Sequence, residues 1–433
     1  MTFNIIIFSA IFGIFFPFFS VKAANQTAID IFIDTLSKSP EYADRIAQLN
    51  LTKLVKEFSI LDSNLSEDGK RNFTELANAY GHQSEEYNVT TEDGYILTLF
   101  HIPGTGRPYL LMHGLAANAD CFALRKNNSL AFTLADKGYD VWIGNTRGND
   151  YSFGHVKYDA KVDEEYWDFS LHENGYYDYP AIIDFILNKT SQEKLTLIGH
   201  SQGTINGFVL GSLRPEYNDK INIFIALAPV AVFKPRGILK PFLKVVPADT
   251  LYSLSKASGF DVIQINTNNV NRNFIEVLCT QKVLSYEICW QIIIFSMIGN
   301  DAESFEPEFS SVLFGHVPQK SSNKNLCHIA QLSKRNKFAQ FDYGTVKNLV
   351  KYGALNPPKY DLSKVTMKVA LFVGFNDYVA SIEGADILNA ELPNVVEYTI
   401  LPRPEFNHFD FILGNQVQDN FYPFLFDTLE EYP

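Results

Sequence analysis

Beyond residue 100 the chain alternates between short, almost wholly apolar runs and longer stretches with helical spacing. Pro108 to Met112, Tyr139 to Asn145, Leu195 to Gly199 and Ile221 to Ala228 are the apolar runs. Tyr179 to Leu187, with Asp178 placed to cap it, and Gln202 to Leu213 carry the helical spacing. The rhythm returns late in the chain, with strands at Lys368 to Gly374 and Val396 to Leu401 around a helix at Ile382 to Leu388. Short strands without polar alternation are buried on both faces, and the helices between them supply the cover. The pattern predicts an α/β fold on a mostly parallel sheet. Ahead of it, Glu86 to Val89 and Tyr95 to His101 flank Glu92-Asp93-Gly94, the mark of a β-hairpin.

Two stretches break the rhythm. Residues 233–357 mix helical patterns with loop signals and hold three of the four cysteines. They read as an insertion above the sheet, a helical cap or lid, which leaves a core in two parts, 86–232 and 358–433. Residues 24–85 are polar and helical or irregular. At the start, Ile5 to Val21 is apolar and Ala23-Ala24 follows. The run is short for a membrane span, so 1–23 reads as a secretory signal peptide, with an uncleaved anchor as the alternative. Seven Asn-x-Ser/Thr sequons come after it, at Asn25, Asn50, Asn64, Asn72, Asn88, Asn127 and Asn188. Together they predict a glycosylated protein of the secretory pathway, secreted or lysosomal, without a stable transmembrane anchor.

Composition changes this picture little. Hydrophobic residues make up 46% and charged residues 20%, which is ordinary for a globular chain. The net charge of −13 offers no basic patch for nucleic acid, and it does not favour a surface that docks by attraction to anionic lipid. Of Cys121, Cys279, Cys289 and Cys327, the close pair Cys279 and Cys289 could close a short loop in an oxidising compartment. Zinc is the other reading. It lacks a Cys-x-x-Cys, and the histidines are scattered.

The chemistry centres on Gly199-His200-Ser201-Gln202-Gly203. A strand ends at the first glycine and a helix opens after the serine, the setting of a strained, exposed nucleophile. Glycines at both ends let strand and helix approach closely. A serine hydroxyl is a poor nucleophile until a base takes its proton, so an acid and a histidine should follow in that order. Asp377 lies just past one late strand and His408 just past the next, both at carboxyl ends where open α/β sheets carry their sites. Asp410 is a lesser candidate for the acid, being too close in sequence to orient His408 from behind. Acyl transfer also needs amides aimed at the oxyanion. Gln202 supplies one N–H, and the loop Met112-His113-Gly114-Leu115 supplies the other from Leu115. His200 points away from the nucleophile and reads as structural, and Arg147 as a packing or ion-pair residue. Nothing in this chemistry needs a metal or an organic cofactor.

With these residues in place the chain resembles the acid lipases, the group of the gastric and lysosomal enzymes within the α/β-hydrolases. The pieces that carry the resemblance run from Val89-Thr90-Thr91-Glu92-Asp93-Gly94-Tyr95 through His113-Gly114-Leu115, Asn128 to Phe132, Asp140 to Gly148 and Gly199 to Thr204, to Asn407-His408-Phe409-Asp410-Phe411. They span nearly everything after about residue 80. The resemblance implies an α/β-hydrolase core under a helical cap, and esters of triacylglycerols or sterols as substrates at a lipid–water interface. It implies Ser201, Asp377 and His408 as the triad and Leu115 and Gln202 as the oxyanion hole. It also pairs Cys279 with Cys289, and leaves Cys121 and Cys327 unassigned. The run Trp290 to Ile298 is then lid or cleft wall, or else cap core. Two other functions compete: a carboxylesterase of small soluble esters, and a lipid-binding protein that keeps the fold without the reaction.

Overall fold

The computed structural model describes residues 63–237 and 285–433, with 239–240, 252, 262–263, 276 and 279–280 between them. The signal-peptide segment and the sequons Asn25 and Asn50 lie outside the described residues. The described residues fall into two compact units. One holds residues up to Lys70, Ile263–Ser296 and Glu306–Pro318; the other holds Arg71–Val262, Met297–Phe305 and Gln319–Pro433.

The larger unit is built on one sheet of nine strands. They are β1 (Glu85–Thr90), β2 (Tyr95–Ile102), β3 (Thr105–Met112), β4 (Tyr139–Gly144), β5 (Gly154–His155), β6 (Leu195–His200), β7 (Ile221–Leu227), β8 (Val369–Val373) and β9 (Val395–Ile400). The order is β1-β2-β4-β3-β6-β7-β8-β9, with β5 added to β2. From β4 to β9 every pairing is parallel, while β1 and β2 form the expected antiparallel hairpin. All residues of β6 and β8 are buried, as continuous apolar runs require. The parallel register sets Met112 beside Gly199 and Gly199 beside Ala226, so β3, β6 and β7 end along one edge. Every loop that carries a candidate site residue leaves from that edge or follows β8 or β9 there.

Helix α1 (Tyr179–Thr190) and helix α2 (Gln202–Leu213) cover this sheet, and α2 is buried at every position but its last. Asp178 does not cap α1. It has helical backbone angles and makes no cap hydrogen bond, because Leu171–Glu173 and a wider turn at Asn174–Asp178 lead straight into α1. Ser170 caps this longer helical run instead, reciprocally with Glu173. The Asp178 carboxylate is buried against Arg147, accepting from its Nε at 2.8 Å and its backbone N–H at 3.1 Å. Arg147 also donates to both carboxylate oxygens of Asp93, at 2.6 and 2.9 Å, and its guanidinium carbon sits 3.8 Å from the centroid of the Tyr95 ring. The ion-pair reading of Arg147 holds, and it joins the hairpin turn, the end of β4 and the helix.

At the start of the larger unit, Asn72 caps the helix Phe73–Ala79. Its Oδ1 accepts from Glu75 N at 2.9 Å, and Glu75 returns a bond to Asn72 N. In the smaller unit Cys279 and Cys289 form a disulfide, while Cys121 and Cys327 are buried outside it. Trp290, Ile293, Ile294 and Phe295 are buried, and the Trp290 ring meets Phe295, Phe309 and Phe314. In this unit the first part of the Trp290 run is interior.

Removing one member of a buried ion network leaves the others uncompensated, which costs about 3–5 kcal/mol. Asp178→Ala should therefore lower the urea-derived unfolding free energy by that order; a loss under about 1 kcal/mol would mean Asp93 alone satisfies Arg147.

Candidate active site

The sharp junction between β6 and α2 depends on Ser201, whose φ of 53° and ψ of −115° lie in a region most side chains avoid. Its N–H donates to Leu227 O at 3.0 Å, locking it to β7. The packing allows no bulk here. A Cβ on Gly203 would stand 2.4 Å from Met112 O, and one on Gly114 would stand 3.2 Å from the Ser201 Cβ. Helix α2 and the loop after β3 are thus drawn against the same two strand ends.

The structure brings Ser201, His408 and Asp377 together. Ser201 Oγ lies 2.8 Å from His408 Nε2, and His408 Nδ1 lies 2.8 Å from Asp377 Oδ2. Asp377 is fully buried, and its other oxygen accepts from the N–H groups of Val379 and Ala380, both at 2.8 Å. Three hydrogen bonds fix the carboxylate and aim it at the ring. A carboxylate on Nδ1 sets the tautomer that leaves Nε2 free to accept the serine proton. Asp410 is engaged elsewhere: its Oδ2 accepts from Asn407 N–H at 2.6 Å, closing the turn that carries His408. Burial, and then the nearby Asp301, push the Asp410 carboxyl well above the usual carboxylate range.

Leu115 stands on the loop after β3, and its N–H finds no acceptor among the described residues. Gln202 is the first residue of α2, where a backbone N–H has no intrahelical partner and the helix dipole favours negative charge. The loop that carries Leu115 is stiffened from behind. His113 Nδ1 donates to Gly114 O at 2.8 Å while its Nε2 accepts from Thr146 N at 3.1 Å. Next, Ala116 takes a left-handed φ of 52°, and its carbonyl accepts from Gln319 N at 2.7 Å.

Two positioning contacts have no local trace in the sequence. His200 Nε2 donates to the carbonyl of His408 at 2.8 Å, so the residue before Ser201 holds the backbone of His408. Asn325, fully buried, donates from Nδ2 to Gln202 Oε1 at 3.0 Å. Their partners lie 208 and 123 residues away in the chain. In the sequence His200 reads only as a structural residue, and nothing near it names His408 as its partner.

A sheet of this order with a serine at the strand–helix elbow defines an α/β-hydrolase. Two family models agree: "alpha/beta hydrolase fold" matches residues 108–263, and "partial alpha/beta-hydrolase lipase region" matches residues 73–126. Named relatives narrow this. The chain is 35% identical to Lipase 1 of Drosophila melanogaster, over 86% of this chain and 82% of that one. It is 35% identical to human lipase member K over 86% and 93%, and 37% identical to mouse gastric triacylglycerol lipase over 82% and 90%. The chain belongs to the acid lipase family, and is a lipase or esterase of that family.

Burial holds the His113 and His200 rings neutral, pulling their pKa down to about 4 and about 3. The unfolded chain binds these protons near pH 6.5, the folded chain only near those lower values. Their contribution to stability is therefore complete above about pH 6.5 and is lost as pH falls toward 4 and 3. Urea unfolding of the wild type should weaken across that window by up to about 1.4 kcal/mol per pH unit for each ring, and His113→Gln should flatten the slope. An unchanged slope in His113→Gln would remove this residue from the account.

Proposed function

We propose that the protein is a secreted, glycosylated lipase that hydrolyses carboxylic esters of neutral lipids, triacylglycerols or sterol esters, through an acyl-enzyme on Ser201. The observation that carries this reading is the unbroken chain of short hydrogen bonds from Ser201 Oγ through His408 to Asp377. His408 Nε2 takes the hydroxyl proton as Ser201 attacks the ester carbonyl. The N–H groups of Leu115 and Gln202 receive the oxyanion. Protonated His408, held and balanced by Asp377, then returns the proton to the leaving alcohol. Water repeats the cycle on the acyl-enzyme and releases the fatty acid.

Lipid as substrate is supported by the relatives' names, among them gastric triacylglycerol lipase. Among the described residues no helix is long and apolar enough to cross a membrane. Glycosylation is supported by exposure: Asn64, Asn72, Asn88, Asn127 and Asn188 are all on the surface. We take residues 233–357 to be the inserted cap of the family.

Ser201→Ala should remove essentially all ester hydrolysis, a drop of about 10⁶ in turnover, and abolish labelling by a fluorophosphonate probe. Asp377→Asn should leave labelling detectable but slow turnover by about 10⁴. Triacylglycerol emulsion assayed against a short-chain soluble ester tests the substrate class. Turnover of the soluble ester alone would make the protein a carboxylesterase, and unimpaired hydrolysis by Ser201→Ala would overturn the nucleophile.

A further inference from the structure

Helix α3 (Asn323–Arg335) is followed by helix α4 (Thr345–Tyr352), which is built inside out. Two of its polar residues, Asn348 and Tyr352, face the protein. Asn348 is buried, donating to Asp342 Oδ1 at 2.8 Å and to Leu355 O at 3.1 Å, and accepting from Tyr343 N at 2.9 Å. Tyr352 Oη donates to Phe341 O at 2.8 Å. The apolar residues face out: Val346 is 78% exposed, Leu349 53% and Val350 85%, with Leu355 just past the helix at 57%. Of eight large hydrophobic side chains exposed among the described residues, these four fall within ten positions of one another. At helical spacing Val346, Leu349 and Val350 share an arc of about 100° opposite Asn348 and Tyr352. Single exposed apolar residues need no explanation, but a contiguous arc does.

Along the chain around that arc the exposed charges are all of one sign. Lys347 and Lys351 border it on one side and Lys359 follows, while no aspartate or glutamate lies between Asp342 and Asp361. In a chain with 49 acidic and 36 basic residues this is a local reversal. An apolar face bordered by lysines on a short surface helix is the composition of an interfacial anchor. The helix is also tied to the nucleophile. Asn325, near the start of α3, holds Gln202, and Gln331 further along the same helix donates to Asp342 O at 2.9 Å and accepts from Asp342 N at 2.8 Å. About 9 Å of helical rise separates Asn325 from Gln331, so one rigid element links the elbow to the segment that carries α4.

We propose that α4 docks the protein on an anionic lipid surface, burying Val346, Leu349 and Val350 among the acyl chains and setting Lys347 and Lys351 at the headgroups. This rests on the lipase reading for its purpose but not for its chemistry. Hydrolysis of neutral esters releases carboxylates into the surface, so the reaction itself would strengthen the attraction.

The test uses the full-length protein, with flotation on phosphatidylcholine vesicles with and without about one-third phosphatidylserine. Wild type should bind the anionic vesicles about tenfold more tightly than the neutral ones, and salt should erase the difference. Val346→Asp with Val350→Asp should weaken vesicle binding and turnover of an emulsified ester by about tenfold, with soluble-ester turnover within about twofold. Lys347→Glu with Lys351→Glu should abolish the preference for phosphatidylserine while sparing binding to phosphatidylcholine. Both pairs are exposed, and an unchanged thermal melt confirms folding. Equal vesicle binding by the Asp variant and wild type overturns the proposal, as does wild type that ignores vesicles. Sedimentation showing a wild-type dimer that the Asp variant breaks, without a vesicle effect, assigns the face to self-association instead. Vesicle binding that the Asp variant loses, in a protein inert toward every ester, would sustain the docking face and reject the lipase reading.

Discussion

The site depends on one strained residue. Ser201 sits where a fully buried strand turns into a helix buried at all but its last position, and its left-handed backbone makes that turn within a single residue. Such a conformation costs on the order of 1–3 kcal/mol and survives only when its surroundings over-determine it. Here they do: a hydrogen bond from the Ser201 N–H to Leu227 O of β7 on one side, glycine-tight contact with the end of β3 on the other. The same packing that enforces the strain presses the loop of Leu115 toward the hydroxyl. Reactive geometry and backbone strain therefore have a common origin in how β3, β6 and β7 end together.

Around this point polar groups hold Asp377 and the backbone of His408 in place. Asp377 is held by two amides besides His408. The His408 carbonyl is held by His200, and the turn that follows is closed by Asp410. His113 and His200 do this work as neutral rings in full burial, where each can donate at one nitrogen without carrying a charge. Acid therefore reaches the scaffold of the site through the very groups that position it.

Much of this was legible in the residues. The strands could be found because burial on both faces leaves unbroken apolar runs, and Ser201, Asp377 and His408 because the reaction fixes both residue types and chain order. Asp178 reads as a cap because a local rule applies to any aspartate before a helix, while its partner Arg147 lies 31 residues away. Asn325 and His200 act across still longer separations. The outward face of α4 escaped for a different reason. Periodicity reveals that a helix has two faces but not which one meets the protein, and the total charge of −13 conceals a short stretch of opposite sign.

The capping role of Asn72 has a consequence for how the chain would carry a sugar. The amide of asparagine has two ends with separate chemistry: a glycan is joined through the nitrogen, whereas the helix Phe73–Ala79 is capped through the oxygen. A carbohydrate at this position would leave the capping oxygen in place. Exposure of the side chain gives the sugar room outward while the carbonyl keeps its grip on Glu75 N–H. Decoration and helix initiation are thus compatible on one residue, and neither has to wait for the other.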